Sequence, residues 1–254
     1  VSERTLAHYA RRADGGVGWI DVESTFVDPD TPPYDLRDLV TDADEVITER
    51  TESLPVDRIV RQGLGTVRLG TPAGPSVPIL AREGIEEHLE FRGNPPGDDG
   101  ILLHAAMARL LRVRRGDPLD IIGPTGERLK LVVAGTYVTP DRDDPFWFGS
   151  QNPFPDPDST QPQPAVVALD TLVRATGELE LTTQYAWDAY LALTGVPFEQ
   201  ASEVPDRLER TFTSLQAEAG LGTVDLITGL GTLLDIVRQR IADLAVPILL
   251  VVFQ

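Results

Sequence analysis

From Ala245 to Phe253 the stretch IADLAVPILLVVFQ is apolar at every position, and that run limits what the chain around it can be. Upstream, Leu230, Leu233, Leu234, Val237, Ile241, Leu244 and Ile248 recur at three- and four-residue spacing, the pattern of one apolar helix face. After Asp243 the polar face disappears. A helix that is one-sided for several turns and then apolar all round is expected to pass from a protein surface into a greasier medium. Pro247 at the junction is tolerated there, because water or a neighbouring helix makes up the lost backbone bond. The ending therefore reads as the start of a cut transmembrane helix. The competing reading, a buried C-terminal core helix, is also open to an apolar run this short. No internal segment reaches the roughly 20 consecutive apolar residues that a span requires. The opening VSERTLAHYARRADGG lacks the pattern of a signal peptide and reads as an amphipathic helix.

Charge narrows the function classes. The chain carries 22 Lys and Arg against 40 Asp and Glu, a net −18, so its field repels nucleic acid and no nucleic-acid partner is expected. With no cysteine there is no disulfide, thiolate metal site or cysteine nucleophile. His8, His88 and His104 are scattered and match no ligand spacing. The acidic groups Asp28 and Asp30, Asp141, Asp143 and Asp144, and Asp156 and Asp158 fit no calcium-loop pattern. GLGTVRLG and GPTGERLK miss the spacing of dinucleotide and phosphate loops, and no G-x-S-x-G elbow is present. No catalytic residue, cofactor or metal site is expected, and the chain does not read as an enzyme. An acid-rich hydrolase working through Asp143 and Asp144 ranks last, because no base or nucleophile accompanies them. One candidate partner or ligand loop remains, with Asp141, Asp143 and Asp144 beside Phe146 and Trp147. Its aromatic cluster, which includes Phe148, reads more readily as a plug onto the chain's own core than as a pocket.

Along the chain, VGWIDVESTFV has the alternation of a strand, whereas the acidic stretch 36–50 fits a short helix or a strand equally. TVRLG and VPIL read as short strands separated by the breakers GTPAGPS. ILLHAAMARLLRV begins as a strand and becomes a helix. PLDII and RLKLVVAGTYV then form a hairpin on the turn GPTGE. Residues 139–164, dense in proline and aspartate, read as a long surface loop or lid. A strand (AWDAYLALTG), a helix (PFEQASEVPDRLERTFTSLQAEAG) and a strand (LGTVDLIT) follow, with Thr228 as N-cap of the terminal helix.

The stretch from Leu89 to Pro140 resembles the extracytoplasmic domain of FtsX/MacB-type ABC transporter permeases. Gly93 and Pro96 supply that family's G-x-x-P turn, Ile101 to Leu103 its strand, Ala105 to Leu111 its helix, Gly116 and Asp117 its "Gd", and Val133 to Gly135 its closing v-x-G. TYVTPDRDDPFW looks like the loop that follows in actinobacterial members, and 228–254 is similar to their stalk and second membrane helix. Arg115 departs from the pattern, standing where the family has a small apolar residue.

The resemblance implies an α+β fold. A membrane-proximal βαβ lobe would stand on N- and C-terminal stalk helices and carry an inserted distal mixed α/β lobe containing a β-hairpin. The implied segments are 1–76 (first stalk and first half of the proximal lobe), 77–175 (distal insert), 176–228 (second half of the proximal lobe) and 229–254 (second stalk). It further implies a cell-membrane protein with this domain outside. The implied partners are a cytoplasmic ABC ATPase, a second permease copy or paralogue, and an extracytoplasmic lipoprotein or cell-wall hydrolase. The stalks would carry ATP-driven motion outward, stiffly enough because packed helices transmit what a Gly/Ser linker would not. From a different class, a membrane-tethered sensor or solute-binding domain would use the DRDDPFWFG loop.

Overall fold

A computed structural model of the chain describes residues 36–141, 144–147, 153–156, 158–192, 200 and 202–217. Both expected stalk helices, with Leu230, Leu233, Leu234, Val237, Ile241, Leu244 and Ile248, lie outside the described residues, as do VGWIDVESTFV, LGTVDLIT and Thr228. Among the described residues, no helix is long and apolar enough to cross a membrane.

The stretch that fits helix and strand equally is a helix, α1 (Leu36–Thr51). Val40, Ala43 and Ile47 fall at helical spacing and are buried, which decides in favour of helix over alternation. There follow β1 (Val56–Leu69), β2 (Ser76–Arg82), a 3-10 turn at Ile85–Glu87, β3 (Phe91–Gly93) and β4 (Gly100–His104). The chain continues through α2 (Ala105–Leu111), β5 (Pro118–Ile122), β6 (Arg128–Tyr137), β7 (Ala165–Val166), α3 (Leu169–Glu178), β8 (Gln184–Leu191) and α4 (Val204–Gln216). The architecture is α+β, with one mixed sheet and four α-helices among the described residues. β1, β4 and β8, which fall in three different expected segments, share that sheet.

Six of the eight strands close into a ring, because β1 pairs with β2 as well as with β5 in the order β1-β2-β7-β4-β6-β5. Closure removes free edges. Strand alternation fills the ring: Val67 and Leu69, Val77 and Ile79, Ile101 and Leu103, Leu119 and Ile121, and Leu129, Leu131 and Val133 form one aliphatic cluster. α3 lays Leu172 and Ala175 into the same cluster, Leu179 follows at its C-cap, and α2 adds Ala108. β8 and β3 extend the sheet beyond the ring, β8 along the first half of β1 and β3 along the end of β6. α1 and α4 cover the β8 extension, burying Val40, Ile47, Leu208 and Leu215 against Tyr185 and Trp187.

β1 runs far beyond TVRLG. Gly63 sits within it because a Cβ there would meet Leu172 Cδ2 at 2.5 Å, so the glycine marks where α3 lies on the strand.

β6 carries a bulge. Ile101 pairs with Val133 but Leu102 pairs with Gly135, leaving Ala134 unpaired against β4. One extra residue reverses the facing of everything after it. Tyr137, which unbroken alternation would put inside with Leu131 and Val133, is therefore turned outward. The bulge also crowds β3. Gly93 (φ 130) pairs with Gly135, and a Cβ on either would lie 2.4 Å from Ala134 O or 2.3 Å from Arg92 O respectively. Nearby, Gly116 N–H donates to Val133 O (2.9 Å), and Val133 N–H donates to Asp117 O (2.9 Å). The separated glycine, "Gd" and v-x-G elements of the sequence thus meet at one seam.

Candidate functional site

The described parts of the segment after β6 are not a free lid. Residues 144–147 and 153–156 lie on the outside of the ring and place three aromatic side chains on it. Phe146, Trp147 and Phe154 are buried with Leu80, Leu102, Tyr137, Val166 and Tyr190. Trp147 meets Phe146 edge-on at 4.8 Å and Phe154 at 4.9 Å, and Phe154 meets Tyr137 at 5.9 Å. Each such pair contributes about 0.5–1.5 kcal/mol beyond area burial. The Tyr137 hydroxyl donates to Pro164 O, and burial holds its pKa well above the ordinary phenol value.

Beneath the loop lies an ion pair that the sequence reading did not single out. Arg82, at the end of β2, bonds Asp188 of β8, and both side chains are almost fully buried. The Arg82 guanidinium also donates to Phe146 O (2.8 Å) and Gln62 Oε1 (2.9 Å), and its carbon stands 4.5 Å from the Phe146 ring centroid. Tyr190 Oη donates to the same Phe146 carbonyl (3.3 Å). Burial pushes the Asp188 carboxyl up, and the Arg82 charge and hydrogen bond oppose that rise. Two desolvated charges persist only when paired and hydrogen-bonded, and here one of them fixes the loop backbone. The signal was present in the sequence as an aspartate inside the apolar run YAWDAYLAL.

Of the candidate loop residues, Phe146 and Trp147 are 3 % and 1 % exposed, so neither offers its ring to a ligand. Asp144 is half-buried and faces inward. Its Oδ2 lies 2.7 Å from His88 Nδ1, and its Oδ1 accepts from Phe146 N–H (2.9 Å). The His88 ring stacks on Phe146 with centroids 3.8 Å apart. Asp141 is exposed, and Asp143 lies outside the described residues. Among the described residues, no three His, Asp or Glu side chains converge in a way that would hold a metal ion.

No family model matches the sequence, and no curated protein matches it. Two solved structures are similar in fold. One is the extracellular domain of the noncanonic ABC-type transporter YknZ from Gram-positive bacteria, with a TM-score of 0.45 and 11 % identity, covering 83 % of this chain and 100 % of that one. The other is the periplasmic region of MacB from Actinobacillus actinomycetemcomitans, with a TM-score of 0.46 and 9 % identity, covering 93 % of this chain and 98 % of that one. At this level of similarity no residue role and no activity of either carries over.

Proposed function

We propose that this chain is the extracytoplasmic domain of an ABC transporter permease, a non-enzymatic module that moves when a partner ATPase in the cytoplasm works. The observation that supports the reading is the seam at Gly93, Gly116, Asp117, Val133 and Gly135. Several residues that carry the sequence resemblance, separated along the chain, meet there: Gly93 pairs with Gly135 where a Cβ on either would strike backbone, and Gly116 and Asp117 share backbone hydrogen bonds with Val133.

In this reading 1–76 and 176–228 form the membrane-proximal part and 77–175 the distal part. The helices 1–12 and 229–254 are the struts, with Leu230, Leu233, Leu234, Val237, Ile241, Leu244 and Ile248 on the packed face. A closed ring with a filled aliphatic interior suits the task, since a close-packed body transmits displacement rather than absorbing it. The permease would act with a second copy or a paralogue, and would deliver its motion to an exported molecule, a lipoprotein or a cell-wall hydrolase. A tethered sensor taking its ligand at residues 141–147 is the weaker reading, because the aromatic rings it would use are already buried.

Topology is the test. A reporter fused at residue 150 of the full-length membrane protein is expected to be active only outside the cell, and cytoplasmic activity would end the proposal.

A further inference from the structure

The chain is strongly acidic, yet residues 92–115 hold five arginines against two aspartates. The two aspartates lie before β4, at the opposite end of that strand from α2, and Asp99 pairs with Arg174 at 2.8 Å. The arginines gather elsewhere. Arg92 on β3, Arg109 on α2, and Arg112 and Arg114 in the turn after it border a cleft of about 740 Å³. Arg115 stands next in sequence and donates to Asn94 Oδ1 (3.0 Å). Among the described residues none of these five forms an ion pair, in contrast to Arg61, Arg82, Arg128 and Arg174. Among the described residues, Glu90 is the one carboxylate on the cleft wall. The floor is apolar, formed by Ala105, Ala108 and Val113, and Val138 is 46 % exposed at its side.

Helix-dipole complementarity accounts for cations at the end of α2, but not for Arg92, which arrives from a separate strand. Arg112 is also in the left-handed conformation (φ 57, ψ 35), a helix-terminating position where glycine or asparagine is usual. An arginine held there at a backbone cost points to a use for its side chain.

We propose that this cleft binds a small amphiphile bearing one anionic group, a phosphate or a carboxylate. The arginines take the anion and the apolar chain lies over Ala105, Ala108, Val113 and Val138. Arginine's fork matches either group in a bidentate manner. The volume and the mix of an apolar floor with a few charged groups are those of a small-molecule site. An extended polyanion is disfavoured by the net −18. A small anion is not, because charges beyond about 8 Å are screened at physiological ionic strength. The His104 imidazole, next to Ala105, reports the field: burial first and the Arg109 charge second hold it below its ordinary value.

The test is titration of the 254-residue chain with hexyl phosphate, inorganic phosphate, hexanol and a hexaglutamate peptide, followed by calorimetry and by NMR of His104. Hexyl phosphate is expected to bind most tightly, to weaken with salt, and to raise the His104 pKa by offsetting Arg109. Arg109→Gln with Arg112→Gln is expected to weaken it about tenfold or more, the worth of a charge-assisted hydrogen bond. Arg92→Gln, on a different element, guards against a local folding effect and is expected to weaken it in the same direction. Binding unaffected by either variant, or absent at millimolar ligand, would overturn the site. Inorganic phosphate binding as tightly as the ester would overturn the amphiphile. Tighter binding of the peptide would make the cleft a protein-docking surface and overturn the proposal.

Discussion

The inside and the outside of the strand ring are both buried, and they are built on different principles. Inside, Leu69, Ile79, Ile101, Ile121, Leu131 and Val133 meet with no charged group among them. Outside, Phe146, Trp147, Phe154, Tyr137 and Tyr190 are packed around a buried arginine–aspartate pair and a half-buried histidine–aspartate pair. The aliphatic interior needs only apolar residues of suitable volume at alternate positions. The aromatic exterior needs particular polar partners, because its loop contributes backbone groups that no strand neighbour satisfies. Phe146 O, bonded by Arg82 and Tyr190, is the example.

This contrast predicts different recoverability. Asp188→Ala leaves Arg82 buried without its counter-charge and is expected to cost about 3–5 kcal/mol. Leu131→Ala opens a cavity within the ring and is expected to cost about 2–5 kcal/mol. The outer loss should be partly regained by adding Arg82→Met to Asp188→Leu, since replacing both charges removes the desolvation penalty with the attraction, while Phe146 O keeps Tyr190 as its donor. No second substitution on a polar partner can rescue Leu131→Ala. Guanidinium unfolding of the three variants checks this, and a double variant as unstable as Asp188→Ala would break the distinction.

The same contrast decides what could be read from sequence. PLDII and RLKLVV reveal their inward faces by alternation, GPTGE announces their turn, and the switch from strand to helix at His104 is visible in ILLHAAMARLL. The first ten residues of β1 are not legible as a strand. Arg58, Arg61, Gly63 and Gly65 interrupt the apolar pattern for reasons that lie elsewhere in the chain. Arg58 covers the Tyr190 ring at 4.0 Å, Arg61 bonds Glu83 at 2.6 Å, and Gly63 makes room for Leu172. Tyr137 is misassigned by simple alternation because the Ala134 bulge is invisible locally. At the candidate loop, the sequence favours a plug onto the core but does not give the direction the rings take to it. That direction is set by Arg82 and Asp188, which come from β2 and β8. The arginine cleft was half visible as ARLLRVRR in an acidic chain, and only folding brings Arg92 to it.

The bulge is where interior and exterior exchange residues, so it offers a sharper probe. Gly135→Ala places a Cβ 2.3 Å from Arg92 O, and backbone must shift to admit it, at an expected cost of about 1–3 kcal/mol. The damage should be local. Amide exchange at Asn94, whose N–H donates to Ala134 O (3.1 Å), is expected to accelerate, while that of Leu129 and Leu131 is unchanged. Equal acceleration inside the ring would mean that seam and interior open as one unit.

The smallest effect belongs to the rim. His88 and Asp144 have side chains 25 % and 28 % exposed, so water competes for both, and Asp144→Ala is expected to cost only about 1 kcal/mol. Phe146 N–H also loses its side-chain acceptor in this variant, yet the rings that seat the loop remain. The indole N–H of Trp147 should therefore keep its protection from exchange. If Asp144→Ala exposes it, the loop is held from its polar margin and not from its aromatic floor. The outside of the ring would then be a cover latched at its edge, with Phe146 and Trp147 free to leave when the His88 contact breaks.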